Sequence, residues 1–491
     1  MTRSKKSSRW HLFDHLGGNS PWIPYRDSLS PQPLPQSCVV DQVHMLARHA
    51  ARYPTLAAGI KMHDLMTKLH ANTTVMAAFA DAFPFITQWR LFFDMHNKTD
   101  DSNSGHAQLE KLTTTGVFSG TMQALNAGVE FRKRYGHLVG QHGNNATAST
   151  VFSCSCPRVM HTAETFAAGF FNHVDDDDIA IRHVVVPDKA PSRGADTLTP
   201  GKMCANYRTD SQHGRPRAYA RFASFKTAYL SRTVRRIARV MAGGNNSSSS
   251  GHIFTTDELF TMQEMCGFEM LARGVSDRPR DHSPWCAVFT RREWEEFEYA
   301  RDLLHYYRSG PGCKYSHPLG FLYLNATSHL ISQGPEKAGS YFFSFAHDGD
   351  IVPLLSTLGV LPEPSSMSSR HANLDRTWKT SRIVPMGGRV VFERVSCHDH
   401  ADHRQIGIRL ILNDGLVSFP GCEDYEFAIG GSSSSSTKIC PMHVFMDLVG
   451  QKVDEVGGNV DELCGLPPSV HGFRPSFWTE HLQGPPGKVY V

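Results

Sequence analysis

The run Cys38–Arg48, CVVDQVHMLAR, constrains this chain more than any other feature. It is apolar with few interruptions and reads as a buried strand. Tyr53-Pro54-Thr55 breaks it, and a helical stretch follows over 56–69. The same grammar recurs at Val151–Ser153, which ends at Pro157-Arg158 and gives way to an amphipathic helix with Val159, Thr162, Ala163 and Phe166 at helical spacing. Strand followed by helix, twice, is the signature of an α/β sheet.

The middle of the chain differs. From about 212 to 333 the texture is mostly helical, with one helix over 223–241 stopping at Gly243-Gly244 and another over 291–307 ending before Gly310-Pro311-Gly312. Strand character then returns at Tyr341–Ala346 and Gly388–Arg394, with a hairpin over 407–419 around Asn413-Asp414-Gly415. The stretches NNSSSSG and GGSSSSST (430–437) read as loops. Strand-rich ends around a helical middle predict a discontinuous α/β unit over 35–205 and 334–480, with some helical insertion around 85–145. A mainly helical unit over 206–333 and an N-terminal extension over 1–34 complete the division. At 491 residues the chain exceeds what one core usually serves.

Several function classes are excluded. No apolar run reaches 18 residues, since the most apolar stretch is broken by Asp81 and Pro84, so no membrane span is expected. A formal net charge of +3 is too small to argue for nucleic acid, and the arginines of 223–241 read as a solvated face. Asp175–Asp178 reads as a solvated turn rather than a metal site, because consecutive carboxylates point in different directions. Eleven scattered cysteines and Asn-x-Ser/Thr sequons at Asn72, Asn97, Asn145, Asn245, Asn246 and Asn325 favour the secretory route. The basic segment Met1–Trp10 carries no apolar h-region. The expectation is a secreted or cell-wall protein whose signal segment is missing from this sequence; the alternative is an intracellular protein.

Three apolar strands end in residues that bind anions or move protons: Arg48-His49-Ala50-Ala51-Arg52 after the first, Arg158 after the second and His347-Asp348 after the third. Ligands of open α/β sheets bind at the carboxyl edge, so these side chains are expected to build one cationic pocket for a phosphate-sized anion. Each piece alone is weak, because a histidine after a strand is more often structural than nucleophilic. Only His49 sits in R-H-x-x-R-x-P after a buried strand, and only His347-Asp348 caps an apolar strand ahead of an apolar helix.

With those segments, the chain resembles the secreted fungal histidine acid phosphatases, the family that includes the fungal phytases. The likeness runs through VDQVHMLARHAARYPT, RVMHTAETFAAGFF, CGFEMLAR, HYYRSGPG and QGPEKAGSYFFSFAHDGDIVPLLSTLGVL. It implies a phosphoglycerate-mutase-like α/β sheet domain with a helical second domain inserted. It implies His49 as nucleophile, Asp348 as proton donor and Arg48, Arg52, Arg158 and His347 on the phosphate, with no metal or other cofactor. Glu269 is implied as a substrate-facing acid, which favours a general acid phosphatase over a phytase. A phytase would want pocket lysines, for which Lys61 and Lys68 are offered. A weakened member that only binds phosphorylated ligands is the reading from another class. The partner implied is a phosphomonoester, with homo-oligomerisation left open.

The resemblance also pairs Cys38–Cys397, Cys204–Cys464, Cys266–Cys286 and Cys422–Cys440, leaving Cys154, Cys156 and Cys313, of which one is expected as a free thiol. Glycans are expected on Asn72, Asn97, Asn145 and Asn325. Two departures from the family stand next to the site. Ala50 replaces a glycine, which would strain the nucleophile if that position needs positive φ. Asp350 adds an acid that would repel phosphate if it points inward.

Overall fold

The computed structural model describes residues 10–22, 34–95, 108–140, 149–171, 181–189, 191–243, 253–360, 362–363, 365–398, 403–422, 438–456, 460–467 and 487–490. The stretches 175–178, 245–251 and 430–437 lie outside them, as do Asn97 and Asn145.

A mixed sheet carries the fold. Its strands are β1 (Cys38–Arg48), β2 (Ser149–Cys154), β3 (Ile181–Val186), β4 (Tyr341–Ala346), β5 (Arg389–His398), β6 (Arg404–Leu412), β7 (Gly415–Val417), β8 (Cys440–Pro441) and β9 (Gly487–Tyr490). They lie in the order β7-β6-β5-β1-β4-β2-β3-β9, with β8 on β6. β1, β4, β2, β3 and β9 run parallel, while β5, β6 and β7 add an antiparallel wing. The parallel strands read as unbroken apolar runs because both faces are covered: Val43, Met45, Leu46, Phe342, Phe343 and Phe345 are all nearly inaccessible. Asn413 and Asp414, at φ of 48° and 63°, make the tight turn between β6 and β7 that their sequence signals.

The crossover from β3 to β4 contains the helical middle, with long helices at Arg215–Met241, Thr256–Arg273, Arg291–Arg308 and Ser316–Gln333. Thr255 and Thr290 cap two of them, each accepting from the backbone N–H three residues on while that Glu side chain reaches back. The first three of these helices roof the carboxyl edge of the parallel strands, while Ser316–Gln333 packs along β1, where Tyr323 donates to the Met45 carbonyl.

Two findings refine the boundaries drawn from sequence. Residues 10–22 are integrated rather than an extension: Leu12, Phe13 and Leu16 are buried, and the Gly18 carbonyl accepts from Arg48 at 2.5 Å. β9 extends the sheet beyond residue 480, pairing with β3.

The bridges Cys38–Cys397, Cys204–Cys464, Cys266–Cys286 and Cys422–Cys440 are formed. The first ties directly opposed residues of β1 and β5 across 359 positions of sequence. Cys154, Cys156 and Cys313 are all free, not one of them alone. No helix among the described residues is long and apolar enough to cross a membrane.

Candidate active site

Sheet order decides the site. β1, β4 and β2 are adjacent and parallel, so their carboxyl ends open side by side. Arg48 is in register with Ala346, which sets His49 beside His347, and the two rings meet edge to face at 5.7 Å. Arg158 arrives in the first turn of the Pro157–Phe171 helix after β2. All six expected residues, Arg48, His49, Arg52, Arg158, His347 and Asp348, line one cavity of about 680 Å³.

The loop after β1 is held on every side. The Ala51 N–H donates to Gln123 Oε1 at 2.8 Å, the Ala50 N–H to Thr162 Oγ1 at 3.1 Å, and the Ala51 carbonyl accepts from the Thr113 N–H at 3.0 Å. Gly120, opening the Gly120–Tyr135 helix, sits so close that an added Cβ would lie 1.8 Å from the Ala51 oxygen. Only glycine permits this approach.

His49 is poised chemically as well as positionally. Its Nδ1 lies 2.9 Å from the Ala50 carbonyl, an acceptor, so the ring proton belongs there and Nε2 keeps its lone pair. Burial, then Arg48, Arg158 and Arg52, hold its pKa well below the ordinary histidine value, so the free base persists in acid. His347 is lowered too, by burial and by Arg158 and Lys202.

The arginines are built in rather than draped on the surface. Arg48 Nη1 donates to the carbonyls of Gly18 and Val384 at 2.5 and 2.6 Å, and Arg52 Nη1 donates to its neighbour Tyr53 at 2.8 Å while stacking over Phe268. Burial lowers Arg48 to about 10 and Arg52 to about 9. The Nε groups of Arg48, Arg52 and Arg158 are buried with no partner within the protein. Such donors want an oxyanion.

Asp348 opens the Asp348–Thr357 helix and touches two arginines and a histidine. Arg308 Nη2 stands 3.1 Å from Oδ1, His305 Nε2 2.8 Å from Oδ2, and Arg48 Nη2 3.7 Å from Oδ2. Burial would raise its pKa, yet Arg308, Arg48 and the His305 contact together hold it well below the usual carboxylate range.

Three expectations need correction. Glu269 does not line the cavity: it is buried, pairs with Arg273, and accepts from Trp89 Nε1 at 3.0 Å and Ser283 Oγ at 2.6 Å. The cavity-lining acids on that helix are Asp257 and Glu264, the latter five residues before Glu269 and therefore on a different face. Ala50 has no positive φ, so the methyl is not strained; it packs with Leu112 and Ala124. Asp350 lines the cavity, but one carboxylate oxygen accepts from the His347 N–H at 3.1 Å, and burial raises it to about 7. In acid it is neutral and does not repel phosphate.

Other residues of the cavity were given no role from sequence, although His305 and Arg308 lie within the HYYRSGPG segment. Arg301, His305 and Arg308 come from one face of the Arg291–Arg308 helix, and Lys189, Lys202 and Lys226 join Lys61. Lys68 does not; it pairs with Glu258 at 2.7 Å. Beside the cavity, Cys154, Asp188 and His347 bring ligand-type atoms within 4.8 Å of one another. Asp188 is already held by Lys202 at 2.6 Å, and burial pushes the Cys154 thiol well up, so this cluster is satisfied by an ammonium and a proton.

Comparison with known proteins agrees with this geometry. An acid phosphatase of Komagataella pastoris is 28% identical over 426 residues, covering 85% of this chain and 81% of the relative. A phytase of Candida albicans is 26% identical, covering 91% and 86%. Among solved structures, the phytase from D. castellii superposes with a TM-score of 0.79 at 23% identity, covering 100% of this chain and 95% of that one, and so shares the fold. A Bifidobacterium longum multiple inositol polyphosphate phosphatase complexed with inositol hexasulfate gives a TM-score of 0.56 at 14% identity, covering 86% and 95%. The family model for the histidine phosphatase superfamily, branch 2, matches residues 39–413, and the chain belongs to that family.

Proposed function

We propose that the chain is an acid phosphatase, a phosphoric monoester hydrolase working through a phosphohistidine on His49. The observation that carries this reading is the Nε2 lone pair of His49, fixed by the Ala50 carbonyl and surrounded by arginine donors with no protein partner. Nε2 attacks phosphorus, and Arg48, Arg52, Arg158 and His347 hold the non-bridging oxygens. Asp348 gives its proton to the leaving oxygen and then takes one from the attacking water. The low pKa of His49 keeps it nucleophilic in acid, which supports an acid optimum.

A second reading is favoured by the roof. Lys61, Lys189, Lys202, Arg208, Arg215 and Lys226 line the cavity beyond the six central residues, a cationic surface suited to a multiply phosphorylated ester such as phytate. Residues 206–333 act in this reading as the unit that sets substrate range over the sheet unit. Four disulfides support secretion or cell-wall residence. Of the described sequons, Asn72 is exposed and suits a glycan, whereas Asn325 is half-buried within the Ser316–Gln333 helix.

Purified protein should release inorganic phosphate from an aryl phosphate across acid pH, and from phytate if the second reading holds. Failure on every phosphomonoester would overturn the proposal.

A further inference from the structure

The general acid is missing something when taken alone. Arg308 and Arg48 flank Asp348, and Arg52 lies in the same field, so an isolated carboxyl there would surrender its proton. The partner that alters this is His305, inaccessible on the Arg291–Arg308 helix.

Both ring nitrogens of His305 face oxygen acceptors. Nδ1 lies 2.9 Å from the Arg301 carbonyl one helical turn back, and Nε2 lies 2.8 Å from Asp348 Oδ2. A carbonyl cannot donate, so Nδ1 must carry a hydrogen. A neutral ring then presents a lone pair at Nε2, which repels an ionised Oδ2 at that distance. Moving the ring proton to Nε2 only transfers the conflict to the Arg301 carbonyl. Either way, the observed contacts require one further proton on the line between Nε2 and Oδ2.

We propose that His305 and Asp348 are a single acid–base unit sharing one proton, and that His305 is the positioning residue that keeps this proton at Oδ2. The inference rests on the phosphatase reading and deepens it. The other carboxylate oxygen, Oδ1, already accepts from the Gly349 N–H at 2.8 Å and is ion-paired with Arg308 at 3.1 Å, so Oδ2 is the oxygen that holds the proton.

The step balances. As the P–O bond breaks, the leaving oxygen takes the proton from Oδ2, and phosphorus passes to His49 Nε2. The unit is left without its shared proton, lone pair facing carboxylate, and is ready to accept one. In the second half, water attacks the phosphohistidine and gives a proton to Oδ2, which restores the starting state. The charged and titratable groups facing the unit are Arg301 and Arg308 on the same helix, Arg48 on β1, Arg52 in the loop after it, and His347 and Asp350 at the start of the helix of Asp348. Burial and the arginines lower His305 to about 4, so the resting unit gains its proton only in acid. A bound phosphate offsets those cations and draws the proton in at higher pH.

The test is His305→Gln, whose amide N–H can still reach Oδ2 but cannot share a proton. Turnover of glycerol phosphate, a poor leaving group, should fall at least about tenfold more than turnover of p-nitrophenyl phosphate, and the basic limb of its pH profile should move to lower pH. Equal losses on both esters, or an unmoved limb, would overturn the proposal. Wild-type protein that turned over neither ester would instead defeat the phosphatase reading. Proton uptake separates the two ideas, because sulfate occupies an anion site without titrating. Calorimetry in buffers of different ionisation enthalpy should find one proton fewer taken up with sulfate by His305→Gln than by wild type. Should that variant not fold, Asp348→Asn must show the same deficit. Uptake equal to wild type would contradict a shared proton.

Discussion

The floor and the roof of the cavity are built by different rules. The floor, where β1, β4 and β2 end, is fixed by backbone pairing: the Arg48–Ala346 register alone sets His49 beside His347. The roof is fixed by side chains of helices, with Lys226 held to Asp257 and Arg308 to Asp348. The floor therefore tolerates almost no change, while the roof can be altered residue by residue. Chemistry belongs to the first, and substrate range and proton supply to the second.

Substitutions in the floor should have the largest effects. His49→Ala is expected to lower kcat by at least about a thousandfold while leaving thermal unfolding close to wild type, since losing a covalent nucleophile removes the pathway itself. More than a few per cent residual turnover would break the contrast. Asp348→Asn should slow alkyl phosphates about a hundredfold or more and aryl phosphates much less, because only the former need a proton from the enzyme. Equal losses would remove Asp348 from the acid's role.

Stability offers a sharper test at the boundary between the two regions. Asp350 has a folded pKa raised by burial to about 7, against an ordinary value near 3.8, so the native state binds the extra proton between those limits. Its contribution is present below the unfolded pKa and is lost as pH rises through about 7, costing on the order of 1–4 kcal/mol. Asp350→Asn keeps an acceptor for the His347 N–H and should flatten this part of the stability–pH curve. An unchanged slope between about pH 4 and pH 7 would show that Asp350 ionises freely.

The roof should respond more mildly. Lys61→Ala and Lys226→Ala are expected to raise KM for phytate a few-fold each, with p-nitrophenyl phosphate nearly unaffected, because Lys61 is exposed and Lys226 is already paired with Asp257, so each acts on a ligand through modest, screened attraction. Equal effects on both substrates would erase the division between floor and roof. The smallest change is Ala50→Gly. With ordinary φ at this position, turnover should stay within about twofold of wild type, and stability should fall by about 0.4–1 kcal/mol through the freer unfolded chain.

The same contrast explains what was legible in the sequence. β1, β4 and the β6–β7 turn could be read because strands covered on both faces leave apolar runs, and because Asn413-Asp414-Gly415 supplies the positive φ values a tight turn needs. His49 and Asp348 were readable because each immediately follows such a run. The roles of His305 and Arg308 were not, although both lie in the HYYRSGPG likeness, since a helix dense in Glu, Arg and Tyr looks solvated whichever face it buries. Their signal was present in weaker form: Arg301, His305 and Arg308 are spaced by four and three, which places them on one face. Glu269 misled for a related reason. Nothing local distinguishes it from Glu264, and only the packing of Trp89 and Ser283 turns it away from the cavity. The role of residues 10–22 was hidden because Gly18 contributes a backbone carbonyl, which no side-chain pattern announces.

The central claim is that phosphorus is transferred to one nitrogen of one residue. Wild-type protein mixed with an aryl phosphate, quenched in base within a single turnover and digested, should carry a phosphoryl group on the peptide that contains His49, with its amount falling as inorganic phosphate appears. Ester turned over with no phosphoryl group on His49, or with the group on another residue, would contradict the account.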